Sequence, residues 1–484
     1  MNHGLILNLL GNLCIAFTCI NLLPLCASLL YDFASLPMFL GTMAFSGGLA
    51  YFFKRYGKYK ENQRMRIREA VVVVGLGWIL VCSMGAIPYF LTGDYNLVTA
   101  LFESTSGFTT TGVTTVTRFH EFSLPLRIWR CLTHWCGGIG VIMLFIIIMP
   151  RMNNGAGYLF NAELPGGMGE RTLPHIKESA RFMLSVYLGL TTLNFIFLLL
   201  AGLDFWHAMN ASLATVATGG FSFYHDSLVS HSIFVDIISI IFMLSSSVNY
   251  SIYYKILRRD WAGMKEEPEH RYSFAWLFTA CILIILDLFI EGNMSFGDVL
   301  RFGIFQTVSV GSTTGFASVD FDKWPAFTRY VLFVLMFVGG CSNSTAGGIK
   351  ISRMVILLKA SWAELLRTIH PRIVYTIRFG KRIIDPSTVG NITRFFFLYI
   401  LVFIVLTILI SISGLGVMDS MGLIAALLSS VGPAFGIVGP TMNYGDISTY
   451  GRCICIIAML LGRLEIFTIL VIFQPDFWTY KKTW

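Results

Sequence analysis

Nine apolar runs, at residues 5–30, 37–53, 70–92, 182–203, 232–253, 273–291, 327–340, 395–413 and 453–474, restrict this chain more than any other feature. Each is long enough, or nearly so, to cross the roughly 30 Å hydrocarbon core of a bilayer as a helix. Inside hydrocarbon every backbone N–H and C=O must find a partner within the protein, which leaves helices or a closed barrel. The alternating strands of roughly ten residues that build barrels are absent from the pattern. The expected class is therefore an all-α polytopic membrane protein. Composition agrees, since only 13% of the 484 residues are charged, against about a quarter in soluble domains.

The first run reads as a transmembrane helix and not as a cleaved signal, because Met1-Asn2-His3 has no basic segment and Pro24 breaks an overlong apolar stretch. The ten cysteines lie almost entirely in apolar segments. The spacings Cys131 to Cys136 and Cys453 to Cys455 match neither zinc nor thioredoxin patterns, so they read as small core residues. The formal charge of +8 matters through its distribution. Basic clusters at residues 54–68, 151–181, 255–271 and 350–394, with Lys481 and Lys482, mark the cytoplasmic loops. Both termini are then expected inside and the intervening loops outside. No nucleic-acid motif accompanies these clusters.

Between them a short motif recurs. Thr109-Thr110-Thr111-Gly112-Val113 returns as Thr218-Gly219-Gly220-Phe221, as Thr313-Thr314-Gly315-Phe316 and, degenerated, as Ala434-Phe435-Gly436-Ile437. Each copy follows an apolar segment too short to span, such as residues 97–108 or 302–310, and suited to dip in and turn back. Glycine frees the backbone so that neighbouring carbonyls can aim at a common axis, and a ring of carbonyls can replace the hydration shell of a cation. Four copies about a hundred residues apart exceed what ordinary loop glycines explain.

The chain divides on this pattern into a helix pair at 1–68 and four units at 69–165, 166–265, 266–365 and 366–484. Each unit is a spanning helix, a re-entrant short helix, a glycine turn and a second helix, all running the same way. The expected architecture is a pseudo-fourfold arrangement around one pore. An inverted-repeat transporter would need alternate units flipped, which the charge pattern denies. Unit three carries the sharpest break, Gly339-Gly340-Cys341-Ser342-Asn343-Ser344-Thr345-Ala346-Gly347-Gly348-Ile349-Lys350. Such a stretch cannot stay helical against lipid and must face protein or water, which suits a gating loop in the pore. It lacks the Gly-Lys-[Ser/Thr] adjacency of a nucleotide P-loop.

Arg463 lies in the apolar second helix of unit four, where a charge costs roughly 2.5–3.5 kcal/mol and therefore calls for partners. It is expected some turns inside that helix, projecting under the ring and bonding carbonyls of the 339–348 loop. A coupled symporter, driven by protons or sodium, would need a buried titratable group, for which Glu103 and Asp287 are the candidates. Both read more readily as structural: Glu103 as a brace for the first turn, Asp287 near the outer interface. No catalytic constellation or metal-ligand spacing is visible, so an enzyme is not expected.

These residues together resemble the membrane subunit of Trk-type potassium uptake systems, within the Trk, Ktr and HKT superfamily. The parts that carry the resemblance are Thr109, Thr110, Thr111 and Gly112, Gly219-Gly220-Phe221-Ser222, Thr314-Gly315-Phe316, the 339–350 segment and Gly462-Arg463-Leu464-Glu465. The resemblance implies potassium as the transported ion, bound at Thr111, Gly112, Gly219, Gly220, Thr314, Gly315, Phe435 and Gly436, with no tightly bound cofactor. It also implies a homodimer in a bacterial inner membrane and a cytosolic nucleotide-binding regulatory subunit, a TrkA-like ring. Three departures stand out: Ala346 in place of a loop glycine, Phe223-Tyr224 after the second turn, and Gly432-Pro433 ahead of the fourth.

Overall fold

The computed structural model describes residues 1–58, 67–116, 122–148, 176–222, 232–291, 294–464 and 466–478. Phe223, Tyr224, Glu465, Lys481, Lys482 and most of the expected basic cluster at 151–181 lie outside them.

Helices α1 (His3–Ile20) and α2 (Leu22–Tyr31) make one continuous apolar stretch, and α3 (Leu36–Tyr56) returns beside α1. The chain then runs through the same sequence of elements four times. Unit one is α4 (Ile67–Gly85), α5 (Ile87–Leu91), α6 (Leu97–Phe108) and α7 (Leu124–Ile148). Unit two is α8 (Ile176–Leu200), α9 (Phe205–Val216), α10 (Ile233–Ser247) and α11 (Ser251–Leu257), followed by the connecting α12 (Trp261–Glu266). Unit three is α13 (Glu269–Glu291), α14 (Phe296–Gly311), α15 (Ala326–Phe337) and α16 (Ile351–Ile369). A small hairpin, β1 (Arg378–Phe379) with β2 (Arg382–Ile383), leads into unit four, α17 (Pro386–Ser411), α18 (Val417–Leu428), α19 (Thr449–Arg463) and α20 (Ile466–Ile472). A last turn, α21 (Pro475–Trp478), closes the described chain.

Among the described residues six helical stretches are long and apolar enough to cross a membrane, or eight if each bent pair is one span: α10 with α11, bent by 100°, and α19 with α20, bent by 111°. The run at 327–340 gives a helix of only 12 residues, because α15 stops at Phe337 where the small-residue segment begins. The short helices α6, α9, α14 and α18 hold 12, 12, 16 and 12 residues. At 1.5 Å per residue they are about 18–24 Å long, too short to span. Three start on a side-chain cap: Asn96 accepts from Thr99 N, Asp204 from Trp206 N and His207 N, and Ser295 from Asp298 N. Those bonds satisfy N–H groups that a helix leaves open at its start.

What assembles the units is the packing of each second helix on the short helix of the next. Cys131 Sγ on α7 lies 2.6 Å from Asn210 Oδ1 on α9. Arg301 on α14 reaches Asp236 on α10, Nε to Oδ2, at 2.6 Å. Helix α15 packs on α18, and Arg452 on α19 donates to Thr99 Oγ1 on α6 at 2.7 Å, closing the circle. Four short helices are thereby pinned around one centre, the pseudo-fourfold arrangement that the sequence pattern leads one to expect.

Replacing Asp236 with Ala removes an acceptor from the partly exposed Arg301, a charge-assisted contact worth about 1.5–3 kcal/mol. Thermal unfolding in detergent should show a lowered midpoint, and Asp236→Glu should recover part of it.

Candidate functional site

Every short helix ends in the same way. The first residue past it bonds back four residues: Thr109 N to Thr105 O, Ala217 N to Leu213 O, Ser312 N to Val308 O, Ser429 N to Ala425 O. The next closes a three-residue step, Thr110, Thr218, Thr313 and Ser430 to the carbonyls of Gly107, Thr215, Val310 and Leu427. The third reaches back five, Thr111 to Ser106, Gly219 to Ala214, Thr314 to Ser309 and Val431 to Ala426, at 2.8–3.0 Å. The backbone angles repeat too, with φ of 52° to 57° at Thr110, Thr218, Thr313 and Ser430, and 75° to 98° at Gly112, Gly220, Gly315 and Gly432. Three of these left-handed residues are threonines, and a β-branched residue there is strained, the kind of cost that concentrates at working sites.

This geometry corrects the expected fourth turn. Its glycine is Gly432, four residues after α18 as in the other three units, and not Gly436. Ala434, Phe435, Gly436 and Ile437 belong to the loop beyond. Ala434 N bonds Val438 O at 3.1 Å, Gly436 N bonds Asp322 Oδ2 at 3.1 Å, and Phe435 packs edge-on against Phe321. Counting from the end of the short helix would have found Ser430-Val431-Gly432. Gly436 is the more conspicuous glycine in the sequence because apolar residues flank it.

The four turns interlock. A side chain on Gly112 would collide with the Gly219 carbonyl oxygen, one on Gly220 with that of Thr314, one on Gly315 with that of Val431, and one on Gly432 with that of Thr111. Each glycine is thus the slot into which the next turn's backbone presses, and the first turn presses into the slot of the fourth. A cavity of about 70 Å³ opens over this ring, lined by Gly112, Gly220, Gly315, Pro433 and Tyr444 among others.

Comparison with known proteins decides what this ring belongs to. Residues 41–480 match the family model for TrkH, described as a cation transport protein. The chain is 32% identical to the Trk system potassium uptake protein TrkH of Halomonas elongata over 99% of this chain and 100% of that one. It is 34% identical to the TrkH of Escherichia coli K12 over 87% of this chain and 88% of that one. The crystal structure of the potassium transporter TrkH from Vibrio parahaemolyticus superposes with a TM-score of 0.89 at 30% identity, covering 99% of this chain and 100% of that one. The chain belongs to the TrkH family of cation transport proteins. It is a multi-pass membrane transport protein and not an enzyme.

Within the family fold the turns are braced from behind. Glu103 on α6 is fully buried and accepts from Thr115 N at 2.6 Å, Thr115 Oγ1 at 2.8 Å and Thr114 Oγ1 at 3.0 Å, beside Arg130 Nη1 at 2.8 Å. The Arg130 guanidinium lies 3.7 Å from the centre of the Phe221 ring, and His134 stacks on Phe221 at 3.8 Å. Two groups that close can only occupy opposite faces, so α7 of unit one clamps turn two. Arg130 and His134 escaped the sequence reading because an Arg and a His one turn apart on a helix carry no motif. Asp287 accepts from Thr328 N at 3.0 Å and Thr328 Oγ1 at 2.6 Å, tying α13 to the start of α15.

On the other side of the ring runs the 338–350 segment. Its two ends pair with each other, Gly339 N to Ile349 O and Ile349 N to Phe337 O, both at 3.0 Å. The remainder is tied to neighbours in units two, three and four. Gly347 N donates to Thr313 Oγ1 of turn three at 2.7 Å, and Gly347 leaves no room for a side chain against the Ser429 carbonyl of unit four. Thr345 Oγ1 lies 3.1 Å from Val216 O and 3.2 Å from Ser246 O. Cys341 N reaches Ser247 O at 2.9 Å, and Tyr250 N reaches Asn343 O at 3.2 Å. Ser342 donates from its N and its Oγ to Glu269 Oε1 at 2.7 and 2.8 Å. Lys350 is buried and donates to the Ala346 carbonyl.

Arg463 completes the cluster. It sits at the last residue of α19, where the axis swings by 111°, and not several turns inside a continuing helix as its distance from Pro475 suggests. Its Nη1 donates to Thr345 O at 3.2 Å and its Nη2 to Gly137 O of α7 at 2.8 Å. Beyond the segment a second cavity, about 200 Å³, is lined by Glu267, Glu269, Ser342, Arg382 and Asp385.

Removing Glu103 should be costly, because Arg130 stays buried beside the turn; breaking one side of such a pair costs about 3–5 kcal/mol. In detergent, Glu103→Ala should unfold well below the parent, and the Glu103→Leu, Arg130→Leu double variant should be less damaged than that single change.

Proposed function

We propose that this protein conducts potassium through the ring of four turns, in a bacterial inner membrane with both termini cytoplasmic. The observation that carries the reading is the closed cycle in which each turn's glycine receives the next turn's carbonyl. Backbone carbonyls at Thr111, Gly219, Thr314 and Val431 then stand in equivalent places around one axis, with Gly112, Gly220, Gly315 and Gly432 supplying the room. The C-terminal ends of α6, α9, α14 and α18 lead straight into the turns, so four helix dipoles put partial negative charge where a cation would lose its water. The names of the relatives, potassium uptake proteins of a Trk system, supply the ion and support further subunits. A homodimer, and a cytosolic nucleotide-binding ring docking near the basic stretch at 350–394, complete the reading. Coupled symport is disfavoured, because Glu103 and Asp287 are both engaged in structural bonds.

The 338–350 segment is the gate in this reading, and Arg463 is its latch. A fixed positive charge below the ring repels potassium, while its two bonds hold the segment against unit one.

Two measurements in voltage-clamped proteoliposomes test this. Gly112→Ser should lower the preference for potassium over sodium, because the new side chain displaces the Gly219 carbonyl; an unchanged ratio in the folded variant would count against the ring as filter. Arg463→Ala, or deletion of residues 342–346, should each raise potassium flux without any cytosolic partner, and the two together should add little. Parental flux in both single variants would place the gate elsewhere.

A further inference from the structure

The four turns share one backbone but are not held alike. In unit one, Ser106 grips both ends of the turn: its carbonyl accepts Thr111 N at 3.0 Å, and its hydroxyl donates to Val113 O at 2.6 Å. Ser309 does the same in unit three, its carbonyl accepting Thr314 N at 2.9 Å and its hydroxyl donating to Phe316 O at 2.6 Å. One side chain therefore staples the chain across Gly112, and another across Gly315. A second hydroxyl contact reinforces each, Thr109 to Thr111 and Ser312 to Thr314, both at 2.8 Å.

The same positions in units two and four are Ala214 and Ala426, which keep the carbonyl half of the grip and have no hydroxyl to supply the other half. The second contact is missing too. Position 219 is glycine and position 431 is valine, and the Ser429 hydroxyl turns to Tyr399 at 2.9 Å instead. Turn two is gripped through its Phe221 ring, and turn four through Tyr444, whose hydroxyl donates to Gly432 O at 3.0 Å from a different loop. Because the turns contact one another in the order one, two, three, four, the stapled pair face each other across the axis and so do the unstapled pair.

We propose that Ser106 and Ser309 are specificity-determining positioning residues, which fix two facing walls of the ring at the spacing of a potassium ion while the walls at Ala214 and Ala426 are left to yield. The inference rests on the ring being the ion filter. A smaller cation gains from a carbonyl ring only if the carbonyls close in on it, and a wall stapled on both sides of its glycine cannot. Where the staple is missing, one hydrogen bond fewer opposes the peptide in following the ion. Discrimination is then set mainly by units one and three, and passage is eased by units two and four.

The test is the potassium-to-sodium permeability ratio in proteoliposomes, with thermal unfolding as a check on folding. Ser106→Ala and Ser309→Ala should each lower the ratio, and together by roughly three- to tenfold, the scale set by losing one or two hydrogen bonds. Ser106→Thr and Ser309→Thr retain the hydroxyl and should restore it. An unchanged ratio in the folded double alanine variant overturns the proposal. Should that variant not fold, Ala214→Ser with Ala426→Ser adds the staple where it is missing and should raise the ratio; no change there overturns the proposal equally. Gly112→Ser, run in parallel, separates the two ideas. If it lowers the ratio while the serine variants do not, the staple fails and the filter stands; if neither moves it, the filter reading itself fails.

Discussion

A peptide group taken out of water keeps its need for a partner, and much of this structure follows from how that need is met where the chain stops being helical. Four short helices end in mid-protein, and each leaves carbonyls that no further turn will use. The backbone answers with one repeated sequence of bonds back to residues four, three and five earlier, and that sequence forces the left-handed residues which follow. The 338–350 segment obeys the same rule with other means, its amides and carbonyls taken up by Ser247, Tyr250, Glu269, Thr313 and Arg463. Non-helical chain at this depth persists because protein surrounds it.

Much of this was legible in the sequence. Apolar runs give the spanning helices, and the recurrence of Thr-Gly pairs marks the turns that hold Gly112, Gly220 and Gly315 at positive φ. Arg463 was singled out by the cost of its charge, and its bond to the 339–348 loop followed from the need to satisfy it. The fourth turn was misplaced because Ser430-Val431-Gly432 has lost the threonine that marks the others, while Gly436, also at positive φ, sits in a loop anchored by Asp322. Tertiary partners were the least visible. Arg130, His134 and Glu269 act through contacts across 20 to 80 residues of chain or more, and no local pattern encodes those. The bend after Arg463 was hidden for a related reason, since an uninterrupted apolar run reads as a straight helix.

Repetition followed by divergence explains the uneven bracing. A fourfold backbone needs only that each glycine accept the next carbonyl, so everything behind the turns is free to differ. Unit one uses a buried carboxylate, a guanidinium and a serine, unit two an aromatic sandwich, unit three a serine, unit four a tyrosine from a distant loop. In the proposed reading, conduction rests on the shared part and its tuning on the parts that are not shared.

The pairing of the two ends of the 338–350 segment has a mechanical meaning. If the segment opens as the proposed gate, the bond between Gly339 and Ile349 lets it keep its own frame when its outer contacts let go and leave its seat as a cork does, without fraying. The work of drawing the cork is the sum of the bonds around its rim, each worth about 1 kcal/mol net, or several kcal/mol in all. Whatever draws it has to bind the uncorked shape more tightly than the seated one by that same amount, since a ligand moves such a balance only by its difference in affinity for the two shapes.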